Sequence, residues 1–252
     1  MAYARLTPGT VVTWFVLLTC IATSLPAADP HKSSTTVRYL KVSAGTFAPE
    51  TEIQVTQTSH GIVVTSTTRR RAQRLTVRSR FDAQNKLTGA RVTLQRGPAA
   101  QSAEVRVAGR TAHVARQGKK PDKLACPVGV IVTSAPDWTD SFMAVGRYDP
   151  AGRATQKFAG LWIHPTRDPL ELTFTLTRIG HDVVTRGPRD VRLDRLSLVL
   201  RAASRYVVWR NPQGQLVRLV PATKADGGIV LTGWERATRD LQPQLPPDPT
   251  TP

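Results

Sequence analysis

The sequence predicts a mainly β protein in which a curved antiparallel sheet, a half-barrel, wraps one short helix. Three observations carry this expectation. Apolar residues recur at every second position from Thr35 to about Glu235, turn signals separate these runs, and only one stretch has helical spacing. Alternation is what a strand with one wet and one buried face requires.

Leu75, Val77 and Phe81 alternate with Thr76, Arg78 and Arg80; Val92 and Leu94 alternate with Arg91, Thr93 and Gln95. Val105 and Val107 alternate with Glu104 and Arg106, and Leu172, Phe174 and Leu176 with Thr173, Thr175 and Thr177. The predicted inner faces are apolar and the outer faces polar and mostly basic. Asp149-Pro150-Ala151-Gly152 and Asn211-Pro212-Gln213-Gly214 each open on Asp or Asn, preset φ with Pro and close on a Gly that tolerates the left-handed region. Asp82-Ala83-Gln84-Asn85 repeats the theme with Asn last. Such turns join antiparallel neighbours, whereas parallel strands need crossovers of about a dozen residues or more.

The predicted helix runs from Asp137, as N-cap, to about Val145, with Trp138, Phe142 and Val145 on one face and Gly146 and Pro150 as stops. Its apolar face should pack on the concave side of the sheet. Periodicity is lost from Arg236, and five of the last ten residues are Pro. The expected organisation is a leader at 1–28, one β-rich domain at 29–235 and a Pro-rich disordered tail at 236–252.

Residues 1–28 place Arg5 before an apolar run, Val11 to Ile21, and then small residues ending in Pro26-Ala27-Ala28. That order is a secretory signal peptide, with cleavage near Ala28 and export to the periplasm or cell envelope. The run is too short and too often interrupted by Thr for a transmembrane span, so none is expected in the mature chain. Leu17-Leu18-Thr19-Cys20 faintly resembles a lipoprotein cleavage box, but Thr19 departs from the small residue usual before such a cysteine. Processing leaves Cys126 alone, so no intramolecular disulfide holds the fold. Its apolar neighbourhood predicts a buried, inert thiol.

With 40% hydrophobic and 21% charged residues, the composition excludes a wholly disordered, collagen-like or disulfide-scaffold protein. The net charge is +17, and only 8 of the 35 basic residues are Lys. No phosphate loop, G-x-S-x-G elbow, H-E-x-x-H or C-x-x-C occurs, and no histidine pair has metal-ligand spacing. Asp137 and Asp140 have a capping explanation at the helix start. The sequence therefore offers no catalytic residue, metal site or cofactor, and binding rather than catalysis is expected; a hydrolase site assembled across strands is the weakest rival.

Two sets of residues remain. Arg69, Arg70, Arg71, Arg74, Arg78 and Arg80 form a run without an acid, a candidate basic patch for anionic envelope polymers or lipid headgroups. Nucleic acid is disfavoured because no aromatic interleaves with these arginines. Trp138, Phe142, Trp162, Tyr206 and Trp209 cluster elsewhere, either as core or as the lining of an apolar cleft for a lipid or lipidated protein.

Trp138-Thr-Asp-Ser-Phe-Met-Ala-Val-Gly-Arg-Tyr-Asp-Pro, Phe158-Ala-Gly-Leu-Trp-Ile-His-Pro, and the stretch from Asp194-Arg-Leu through Tyr206-Val-Val-Trp-Arg-Asn-Pro-Gln-Gly resemble a family of uncharacterised exported bacterial β proteins. That family looks like the half-barrels of periplasmic lipoprotein carriers. The resemblance spans about Val128 to Gly233 and implies the same curved sheet around a short helix; it implies no catalytic residues.

Overall fold

The computed structural model describes residues 33–134, 138–200, 204–223 and 227–244. The expected leader at 1–28, with Cys20, lies outside these residues, as do Asp137 and 245–252. Alternation produces two meanders. The first comprises β1 (Ser33–Ser43), β2 (Thr46–Thr58), β3 (Gly61–Arg70), β4 (Gln73–Phe81), β5 (Leu87–Arg96), β6 (Ala99–Ala108), β7 (Thr111–Arg116) and β8 (Asp122–Ala125). The second begins with β9 (Ile131–Thr133), the helix α1 (Thr139–Arg147), β10 (Thr155–Trp162), β11 (Leu170–Arg186) and β12 (Arg189–Leu200). It ends with β13 (Ser204–Arg210), β14 (Leu216–Pro221) and β15 (Ile229–Leu231).

The meanders are spliced where β1 pairs with β15, giving one 15-stranded sheet with β8 and β9 as its edges. Those edges are joined by residues 126–130 only, a link that reaches at most roughly 22 Å. A flat sheet of this order would hold them roughly 67 Å apart at ~4.8 Å per strand. The sheet must therefore roll. Its first edge meets β11 and the segment before it: the Ala125 N–H donates to Glu171 Oε1 at 2.7 Å, and buried Arg116 joins Asp168 at 2.9 Å and Asp122 at 2.6 Å. The result is a large curved sheet, open rather than closed by edge-to-edge pairing, around a single helix.

The expected faces are those observed. Leu75, Val77, Val92, Val105, Phe174 and Leu176 are all buried, and the alternating Arg78, Arg80, Arg91 and Arg106 are exposed. Phe174 lies directly over Gly160, where an added Cβ would come within 2.2 Å of its ring. The 4→5 turn has Asn85 at φ 59° and the 13→14 turn has Gly214 at φ 79°, as the turn chemistry requires. Asp149–Gly152 differs: it leads from α1 into β10, and Gly152 is not left-handed but leaves room for the Asp149 carboxylate, 3.0 Å from where a Cβ would stand.

Two expectations are corrected, and one pairing departs from the otherwise antiparallel sheet. β9 pairs with β10 in parallel, so the meander is not wholly antiparallel; α1 supplies the crossover that parallel pairing needs. The helix starts at Thr139, with Trp138 in the N-cap position and no side-chain cap, and it runs through Gly146 to Arg147. Arg147, a cation in the last turn, opposes the helix dipole and donates to the Gly129 carbonyl. The packed chain also continues beyond residue 235: Thr238 is buried and donates to the Trp234 carbonyl at 2.9 Å, and Ala237 and Leu241 pack against the core. Consecutive turns, not disorder, erase the periodicity there.

Phe142 meets Tyr39 of β1, Trp138 meets Tyr206 of β13, and the Arg147 guanidinium sits 5.5 Å above Phe81 of β4. One nine-residue helix touches strands so far apart in the sheet order only from inside the roll. Cys126 is buried and free, and burial pushes its thiol pKa up.

Candidate functional site

The helix starts at the end of the roll where β9 finishes, called the mouth below. The β3–β4 turn at Arg71 and the β5–β6 turn at Gly97 reach the same end, as does the loop after Trp162. Arg96 and Arg167 stand near enough to His164, with burial as the main cause, to hold its pKa below the ordinary range. Arg70 likewise acts on Tyr206, whose hydroxyl is pushed up by burial and by Asp140 and drawn down by Ser204 and Arg70.

Inside this mouth the helix and sheet present half-buried aromatic rings. Trp138 packs edge-on against Tyr206 with centroids 6.0 Å apart, and Phe142 packs edge-on against Tyr39 at 6.5 Å. Tyr39 is buried and anchored, its hydroxyl donating to the Leu216 carbonyl at 3.1 Å. Beside them Thr51 and Thr68 share a 2.9 Å hydrogen bond. Asp140 accepts from Thr133 Oγ1 at 3.1 Å and from the Ser141 hydroxyl at 3.0 Å.

Among the described residues several buried polar atoms near the helix start have no hydrogen-bond partner: Trp138 Nε1, Thr139 Oγ1 and Ser134 Oγ. Glu50, which occupies the irregular step between β1 and β2, is buried and paired with Arg70 through one oxygen, while Oε2 has no partner. Each unsatisfied buried group costs about 1–3 kcal/mol. Further such atoms lie elsewhere in the sheet, Ser79 Oγ and the Nε of Arg116, Arg195 and Arg210 among them, while the inner face of β4, β5 and β6 is otherwise apolar.

The predicted cleft residues separate. Trp138, Phe142 and Tyr206 come together. Trp162 is at the same end, stacked on His164 at 5.6 Å with ring planes 12° apart. Trp209 is not with them: it is fully buried, and its Nε1 donates to Asp182 at 2.8 Å. Tyr206 and Trp209 are three residues apart on one strand, so they point to opposite faces and Trp209 is a core residue.

The six arginines separate as well. Arg70 shares the inward phase of Thr68 and binds Glu50, and Arg71 forms the turn at φ 51°. Arg69, Arg74, Arg78 and Arg80 are exposed on the outer face. Tyr39, Glu50, Thr51, Ser134 and Thr139 were not selected from the sequence. Tyr39 was legible in principle, since it continues the apolar phase of Val37, but Glu50 reaches the interior only through a register shift between Tyr39 and Leu40.

Two surface recesses lie elsewhere, along residues 233–239. Two grooves of about 510 and 630 Å³ share Phe47, Glu235 and Arg239.

No protein-family model matches the chain, and no curated protein does. Among solved structures it is similar to a DUF1089 family protein from Pseudomonas aeruginosa, with 13% identity and a TM-score of 0.43 over 78% of this chain and 92% of that one. It is also similar to a β-barrel-like protein of the domain of unknown function DUF1849 from Brucella abortus, with 7% identity and a TM-score of 0.49 over 78% and 94% of the two chains.

Proposed function

We propose that this is an exported binding protein of the cell envelope, not an enzyme, which takes up one amphiphile at the mouth. The carrying observation is the pairing of half-buried aromatics with unsatisfied donors at the helix start. The apolar part of the ligand lies along Phe142 and Trp138. Its head accepts from Trp138 Nε1 and the Thr139 hydroxyl, and Arg70 and Arg71 at the rim favour a negative charge there.

Native mass spectrometry of the purified chain with lysophosphatidylglycerol tests this. One bound lipid is expected, and Phe142→Ala should weaken retention at least tenfold in the folded fraction. Phe142 truncation also costs stability, up to about 3–5 kcal/mol for a fully buried ring, so only folded charge states count. The same spectra of protein expressed with its leader read the N-terminus. A start near Asp29 supports export, a mass acylated at Cys20 makes it a lipoprotein, and an unprocessed chain removes the envelope from the reading. Failure to retain lipid at any concentration contradicts the binding role.

A further inference from the structure

The outer face of β3 to β6 carries a ruled array that the mouth does not use. Register places Thr67, Thr76, Thr93 and Ser102 side by side on successive strands, a row of four hydroxyls crossing the sheet. On one side runs Arg69, Arg74 and Gln95; on the other, Thr65, Arg78, Arg91 and Glu104. One step further out stand Arg80 and Arg106, in the row that continues to His113 and Lys123. Six arginines thus surround the hydroxyl row, with Glu104, 3.7 Å from both Arg91 and Arg106, among them and Glu52, paired with Arg38, beside Thr67 at the end of the row. Among the described residues Arg69, Arg74, Arg78 and Arg80 have no carboxylate within ion-pair distance, and all are exposed.

Two of the cross-strand pairs are like with like: Arg69 opposes Arg74, and Arg78 opposes Arg91. Directly opposed like charges destabilise a sheet, so folding alone does not explain them. We infer that this face binds a linear anionic polysaccharide lying across the strands. Guanidinium groups on both flanks pair with its carboxylate or sulfate groups, and the central row exchanges hydrogen bonds with its sugar hydroxyls. The strand spacing of ~4.8 Å repeats a hydroxyl at close to the advance of one sugar in an extended chain.

Geometry selects this occupant over two other polyanions. The rows run in the direction in which the sheet curves, so a flexible chain follows them, whereas a flat bilayer meets only a strand or two of the convex face. Single-stranded nucleic acid needs stacking platforms. The aromatic ring of this region, Phe81, faces inward under Arg147.

The test is titration calorimetry of the full chain with polygalacturonate, with neutral dextran as control, at low and moderate salt. Binding should fall steeply with salt, by analogy with counterion release from nucleic acids. Arg78→Thr with Arg91→Thr should weaken binding at least tenfold at low salt without lowering the melting temperature. Thr76→Val with Thr93→Val, which keeps β-branched shape, should weaken it severalfold and leave the salt slope unchanged. Phe142→Ala should not affect it, which separates this face from the mouth. Unchanged affinity in either double variant overturns the proposal. So does tighter binding to phosphatidylglycerol vesicles or to an oligothymidylate than to the glycan.

Discussion

Phe174→Asp is expected to abolish the native fold, whereas Thr175→Asp is tolerated. Phe174 is 1% exposed, stacked on Gly160 and paired across the strand with Phe158 and Leu200. An aspartate there must bury an unpaired carboxylate or take up a proton, costing several kcal/mol. The lost ring adds about 3–5 kcal/mol. Together they rival the roughly 5–15 kcal/mol that stabilises a typical domain. Thr175 faces the other way and lies opposite exposed Lys157, so a carboxylate there gains an oppositely charged neighbour. Circular dichroism and thermal melts decide it: an unfolded Phe174→Asp beside a Thr175→Asp within a few degrees of wild type is the expected result. Equal melting temperatures would refute the face assignment on which the roll depends.

Gly228→Ala is expected to be the most damaging of the Gly→Ala changes among the described residues. Gly228 has φ 79°, and an added Cβ would stand 1.8 Å from the Leu219 carbonyl oxygen. That oxygen belongs to backbone, so relief requires β14 and β15 to separate where Leu219 pairs with Ile229. The Gly228 carbonyl also accepts from the Val42 N–H at 3.0 Å, on the strand that splices the two meanders. Gly45→Ala is the control, with a similar φ of 73° and open space around the site. It incurs only the left-handed backbone cost, about 1–2 kcal/mol. Urea unfolding midpoints should place Gly228→Ala below Gly45→Ala by more than about 2 kcal/mol of stability, since cost at strained, crowded sites exceeds either effect alone.

How far the sequence could be read depended on where the period-two rule was applied. Apolar positions obeyed it, so Leu75, Val77, Val92 and Phe174 identified the inner face, and one 3.6-period stretch identified the helix. The same rule governs arginines and aromatics. It separates Arg70 from Arg69, and Tyr206 from Trp209, by odd offsets that a count along the chain ignores. β9 was beyond reach because a three-residue apolar strand has no readable period. The packing of 236–241 was hidden for a related reason, since turns bury side chains without periodicity. Glu50 needed the register shift between β1 and β2, a tertiary feature with no local signature. The charge balance drew attention to Arg, but only pairing shows the guanidinium rows flanking a hydroxyl row.

The central claim is that an amphiphile sits against Trp138 at the mouth, and brominated acyl chains locate it directly. Bromine quenches indole fluorescence only at close range, and Trp209, fully buried beside Asp182, is out of its reach. In a Trp162→Phe background, which removes the other indole at this end, titrating the protein with and without Trp138→Phe with a brominated lysophospholipid should give saturable quenching while Trp138 is present and little once it is replaced, with both proteins retaining the lipid by native mass spectrometry. Equal quenching in the two proteins would put the ligand somewhere other than the mouth, and an absence of quenching and retention in the wild type would contradict the account.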